Sequence, residues 1–182
     1  MDTISLLQRL HQHRIWTNGN LLSAAAKLSP EKLHAHFQIG QGSVWKSLLH
    51  MYAAEYVWLE TLLGNEHAVA PGDKPGKLPG NQEGDGRVDD LVDLKQRWAD
   101  LDARWNACLK SLKPEGLEDK VYRTRIVDGK PMRFGVRRSD ALLHVCTHAH
   151  YTAAQTVNMF RQNGVEKLPE VMLMAMARSE NE

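Results

Sequence analysis

The clearest alternation of apolar and polar positions runs through "SVWKSLLHMYAAEYVWLETLL", residues 43–63, where Val44, Leu48, Met51, Ala54, Val57, Trp58 and Leu62 recur at steps of three and four. That period draws one apolar stripe along a helix, with Ser43 as its cap and Gly64 as its stop. The same spacing predicts a helix over 3–28, with Ile4, Leu7, Leu10, Ile15, Leu21, Leu22 and Ala25 inward. It predicts another over 89–112 through Leu91, Leu94, Trp98, Leu101, Trp105 and Leu109. "SPEK" at 29–32 starts a short helix, since it joins a serine cap, a first-position proline and a first-turn acid. Ser139 and Asp140 are expected to cap a fourth long helix that ends near Asn163 and Gly164. Beyond it lie a short apolar turn from Pro169 to Ala177 and a frayed polar end.

Between these helices two stretches break the pattern. Residues 64–88, "GNEHAVAPGDKPGKLPGNQEGDGRV", are too rich in glycine and proline to propagate helix or strand and read as a surface loop. "KVYRTRIVDGKPMRF" alternates around Asp128-Gly129, a turn signal that predicts two short strands at 120–126 and 131–136. Each flank of the loop offers helices whose apolar face needs a partner, so one domain over 1–182 is expected. The fold class is therefore all-α: an antiparallel four-helix bundle carrying a long loop and a small β-hairpin outside its core.

Charge removes some functions from consideration. Lys and Arg number 23 against 22 Asp and Glu, a formal +1, so no global field recruits nucleic acid or an acidic membrane surface. No apolar run approaches the ~20 residues of a membrane span, and the opening "MDTISLLQRLHQHRIW" lacks the order of a signal peptide. Cys108 and Cys146 are the only cysteines and stand too far apart for a zinc ribbon or redox dithiol, so they are read as small core hydrophobes in a cytoplasmic protein. No Ser-His-Asp order, phosphate-cradling glycine loop or catalytic carboxylate pair stands out.

The remaining chemistry is in histidine. "HVCTHAHYTAAQ", residues 144–155, places His144 and His148 four apart, about 40° round a helix and one turn along it, the spacing by which a helix offers two imidazoles to one cation. A stable site needs three or four ligands, and His50, in the middle of the most apolar helix, is the donor a facing helix would add. A hydrogen-bonded core histidine is the plainer reading of His50. His150 lies about 200° from His148 and faces elsewhere. His11 with His13, His34 with His36, and His67 are assigned to solvated surface or loop. Tyr151, Thr152 and Gln155 fall within about 60° of the His148 face and are expected to line the same strip.

"LLHVCTHAHYTAAQTVNMFRQNGV" resembles the last helix of the DinB/YfiT-like superfamily, whose members read L-L-H-V-x-N-H-x-x-x-H-R-G-Q followed by R-Q and G-V. "LHQHRIWTNGNLLSAAAKLSPEKL" resembles the opening of that family, and "GSVWKSLLHMYAAEYVWLETLLG" its second long helix. The resemblance implies a bundle holding zinc or nickel through one histidine of the second helix and two histidines four apart on the last. By position these fall on His50 and His148, while the third falls on Thr152, a poor ligand beside imidazole. Either the site has shifted one turn back to His50, His144 and His148, or it has decayed.

The resemblance further implies two functions. One is a metal-dependent enzyme that activates a low-molecular-weight thiol or water against a small electrophile, as a thiol transferase or hydrolase. The alternative is a non-catalytic, stress-associated bundle with a degenerate site, acting by binding or assembly. Dimers in the family and the apolar "VMLMAMA" near the end of the chain lead to the expectation of a homodimer.

Overall fold

The structure is a computed structural model and describes residues 2–181. Its elements start where local chemistry lets them. Helix α1 (Thr3–Ala25) is capped by Asp2, which accepts from the Ser5 amide at 2.8 Å. Helix α2 (Pro30–His34) is capped by Ser29, and α3 (Val44–Leu62) by Ser43, which accepts from the Lys46 amide at 3.1 Å. Asp90 caps α4 (Leu91–Ser111) through the Val92 and Asp93 amides. A 3-10 turn at Pro114–Glu118 leads to strands β1 (Lys120–Val127) and β2 (Lys130–Arg137), then come α5 (Arg138–Gln162) and α6 (Leu173–Ser179). The chain is thus mostly helical with one small two-stranded hairpin.

The hairpin pairs antiparallel from Lys120 opposite Arg137 to Val127 opposite Lys130. Its turn holds φ of 50° at Asp128 and 73° at Gly129, the left-handed pair that a two-residue connection needs to match strand twist. The start of α5 differs from expectation, because β2 runs into it directly. The Arg138 amide donates to the Asp119 carbonyl at 2.8 Å, Arg137 holds the cap position without a side-chain bond, and neither Ser139 nor Asp140 is the cap.

Helix α5 packs against both α1 and α3, and α4 touches the same two helices. Leu21, Leu48, Leu59, Trp98, Trp105, Leu142, Met159 and Phe160 are fully buried among them. Nearly the whole circumference of α3 is covered, since the 64–88 loop folds back over it. Ala68 and Ala70 of the loop bury against Ala53 and Val57, and Val88 joins the main core. The loop is therefore partly core, as is the hairpin through Val121. Gly80 (φ +85°) lies so close to α3 that a Cβ there would stand 2.6 Å from the His50 amide nitrogen.

Helix α1 corrects the sequence reading most. Its inward residues are Leu7, His11, Arg14, Thr17, Asn18, Leu21, Leu22 and Ala25, while Leu10 and Ile15 are only half-buried. The period is helical, but the middle of the stripe is polar. His11, expected at the surface, is completely buried, its ring 4.9 Å from that of Trp105.

The tail is pinned to α1 by polar contacts. Asn20 donates to the Glu170 carbonyl at 2.9 Å, a His13 ring nitrogen lies 2.9 Å from the Val171 carbonyl, and Arg9 grips Glu180 through two 2.7 Å bonds. Of α6 only Met176 is buried. The polar end expected beyond it stops, within the described residues, at Asn181; Glu182 lies outside them. Among the described residues no helix is long and apolar enough to cross a membrane.

Candidate functional site

His50 and His148 come together from α3 and α5, with their Nε2 atoms 3.1 Å apart and the rings tilted by 65°. The other ring nitrogen of His50, Nδ1, lies 2.8 Å from the Pro79 carbonyl, which can only accept. Nδ1 therefore carries the proton, and in the neutral ring the Nε2 lone pair faces His148. Two nitrogens each about 2.0–2.1 Å from one tetrahedral ion stand about 3.3 Å apart, so the observed spacing is that of a ligand pair as well as of a hydrogen bond. Burial, helped by His50 and His144, pushes the His148 imidazole down to about 4, which keeps it neutral near pH 7 as a metal ligand must be.

His144 shares the strip but not the contact. It is exposed, its ring 5.7 Å from His148 and edge-on to Trp58 at 5.2 Å. Partial burial and then the nearby Arg123 lower its basicity. Among the described residues no three His, Cys, Asp or Glu gather at metal-ligand spacing. Thr152, one turn beyond His148, is buried, and Gln155 is half-buried against Gly40, where a Cβ would lie 2.4 Å from its Oε1.

Tyr151 does not line the strip. It is 66% exposed and borders a largely apolar groove of about 550 Å³ between α1, α5 and the tail, together with His150 and His13. At 300° from His148 its Cβ starts on the near side, but the bundle turns that edge of α5 toward solvent. His150 faces away from His148, its ring 5.9 Å from that of His13. His34, His36 and His67 are exposed and His13 half-buried.

Sequence reasoning missed the most buried charges in the chain. Arg14 of α1 pairs with Glu55 of α3 and lies 3.4 Å from Asp102 of α4, with its guanidinium over the Trp105 ring. Glu55 also accepts from Asn18 at 2.8 Å and the Trp98 indole at 2.9 Å. Burial pushes the Glu55 carboxyl up against the pull of those donors. It raises Asp102 to about 7, with the Arg14 charge opposing and the Glu55 charge adding. The signal was present in the sequence: positions 7, 11, 14, 18, 21 and 25 keep the helical step although three of them, His11, Arg14 and Asn18, are polar, and Glu55 interrupts an otherwise apolar run. Cys108 and Cys146 are buried thiols whose ionisation burial opposes, Cys146 being pushed up to about 12.

The structure is mostly helical, and a histidine pair joins its second and last long helices at two of the three positions that the superfamily resemblance implied. The DinB superfamily model matches residues 15–155, and the chain belongs to that superfamily. Among solved structures it is similar to a conserved protein from Enterococcus faecalis, at 15% identity and a TM-score of 0.61, covering 88% of this chain and 96% of that one. At that identity the likeness is one of fold. No curated protein matches the sequence.

Proposed function

We propose that the protein is a metal-dependent enzyme of the DinB superfamily whose α1, α3, α4 and α5 form an antiparallel four-helix bundle around a divalent-ion site, zinc or nickel. The observation that carries this reading is the 3.1 Å approach of two imidazole Nε2 atoms, one ring already oriented by Pro79. These donors fit a borderline-soft divalent ion. His50 and His148 would hold it, and His144 is the remaining imidazole on the strip. A bound ion would supply positive charge that lowers the pKa of a thiol or water toward neutrality, giving a nucleophile for a small electrophile. The chain's own part is to fix the His50 tautomer through Pro79, to keep His148 unprotonated by burial, and to wall the site with Thr152 and Trp58. Thr152 in place of a third imidazole favours a second reading, a non-catalytic bundle whose site has degenerated. Leu143, Tyr151, Met172 and Leu173 around the groove on the far side of α5 support assembly as a homodimer.

Metal analysis separates the two readings. Protein purified without chelator is expected to take up one zinc or nickel per chain, with His50→Ala and His148→Ala abolishing uptake, His144→Ala weakening it and His150→Ala leaving it intact. Uptake of neither ion would sink the enzymatic reading, as would equal losses from His148→Ala and His150→Ala. Sedimentation giving a monomer at micromolar concentration would remove the dimer.

A further inference from the structure

A cleft of about 420 Å³ lies between residues 67–79 of the long loop and strand β1. Two of its walls lead to the histidine strip. One is Pro79, whose carbonyl holds His50. The other is Arg123, whose guanidinium lies 5.7 Å over the Trp58 ring, against which His144 rests.

The charges around this cleft do not balance. Lys74, Lys77, Arg123 and Arg125 line it against one carboxylate, Asp73. That carboxylate is spent within the loop: Oδ2 accepts from the Gly80 amide at 2.6 Å, and Oδ1 from the amide and side chain of Gln82, each at 2.9 Å. Lys77 is answered by Glu83. Among the described residues Arg123 and Arg125 form no ion pair, and Nε of Arg123 is buried without a partner. The neighbouring Arg133 of the same hairpin is fully answered, gripping Glu66 through two 2.7 Å bonds and stacking 3.6 Å over Tyr122.

Two residues apart on one strand, Arg123 and Arg125 project to the same side and repel one another. Burial together with Arg125 pulls the Arg123 guanidinium down to about 10. A guanidinium fork that is partly desolvated, unpaired and set beside a second cation is complementary to the oxygens of a carboxylate or phosphate. We infer that this cleft binds the anionic group of a small molecule through Arg123 and Arg125, placing the rest of that molecule along Pro79 and Trp58 toward the histidine pair. The assignment of that molecule as substrate rests on the proposed reading of His50 and His148 as the reacting site. Anion binding by the cleft does not.

Isothermal titration at fixed ionic strength with inorganic phosphate in one arm and citrate in the other tests it, on the full chain with and without zinc. Saturable binding of at least one probe at one site is expected, and the tighter probe identifies the group. Arg125→Gln, at an exposed position that cannot compromise folding, and Arg123→Gln should each weaken it about tenfold or more, the loss of a charge-assisted hydrogen bond. Arg161→Gln at the far end of α5 should stay within about twofold, and His148→Ala should keep the affinity while losing zinc. No saturable binding by the wild type, or less than about a twofold loss in both cleft variants, overturns the inference. A chain that binds zinc and ignores both probes thus removes the cleft alone, and one that binds an anion but no ion removes the metal reading alone.

Discussion

Replacing Glu55 by Gln removes one charge from the deepest ion pair and leaves the volume unchanged. Three donors converge on that carboxylate, from Arg14, Asn18 and the Trp98 indole. The amide presents one acceptor oxygen and turns an N–H2 donor against the remaining donors. Breaking one side of a buried pair costs about 3–5 kcal/mol, because the surviving charge stays buried. Here the surviving charge is Arg14, which keeps Asp102 at 3.4 Å. With Glu55 neutral, the proton on Asp102 is released more readily, so Asp102 offsets part of the loss. The expected destabilisation is therefore at the lower end, about 3 kcal/mol, out of a total of about 5–15 kcal/mol for a domain. At about 2–4 °C per kcal/mol this lowers Tm by about 6–12 °C. Urea unfolding followed by far-UV circular dichroism measures it, with an unchanged slope showing that the change is one of stability. Arg14→Met combined with Glu55→Leu should cost less than the two single changes added together, since neither charge is left stranded, although the Asn18 and Trp98 donors still lose their acceptor. A loss under about 1 kcal/mol for Glu55→Gln, or single losses that simply add in the double variant, would refute the argument.

Two further outcomes follow from buried positions. Burial, with Arg14 adding to it, pushes His11 from its ordinary 6.5 down to about 3, so the unfolded chain takes up a proton that the folded one refuses; stability from this group is complete above pH 6.5 and falls by about 1.4 kcal/mol per unit below it. His11→Leu should accordingly flatten the decline between pH 6.5 and 4.5 by about 2 kcal/mol in urea titrations, and parallel curves for the two proteins would contradict this. Gly80→Ala places a methyl 2.6 Å from the His50 amide nitrogen at a φ of +85°, which must lift the loop from α3 and withdraw Pro79 from His50. Limited proteolysis should then cut within 64–88 faster than in the wild type while helix content is retained, and an unchanged cleavage rate would show that the loop does not need that approach.

The helices and the hairpin were legible because each is dictated locally. Serine and aspartate caps, Asp128-Gly129, and stripes such as Leu94, Trp98, Leu101, Trp105 say what their neighbours must do. The meeting of His50 with His148 was half legible: helical spacing puts His148 on the right face, and an apolar helix makes His50 need a partner. What could not be read is whatever depends on two distant segments touching. Nothing near Pro79 announces that its carbonyl ends on His50, and nothing near Arg123 announces Trp58. Hydropathy also misled at α1, where it selected Leu10 and Ile15 and passed over His11, Arg14 and Asn18. A polar side chain is inward there because its partner on another helix is, and that partner is not written in the same window. The start of α5 failed for a similar reason, since β2 runs straight into it and the Arg138 amide reaches back to the distant Asp119 carbonyl.

The interior ion pair constrains more than stability. Arg14, Asn18, Glu55, Trp98 and Asp102 come from three helices, and the three donors meet the Glu55 carboxylate at one height, while Nε of Arg14 and Oδ1 of Asn18 stay buried without a hydrogen-bond partner. Sliding α1 by a single turn would set Leu10 or Leu21 into one of the two places that Arg14 and Asn18 fill against the Glu55 carboxylate, so one of its donors would be lost and Arg14 would be displaced from Asp102. A greasy interior would tolerate several such slides at similar cost. This one disfavours them, so the helix that carries His50 is held in step with α1 and α4 by residues other than the histidines. It also means these positions cannot drift singly: a chain that loses Glu55 first strands Arg14, and one that loses Arg14 first strands two acids. Changes here have to arrive together or not at all.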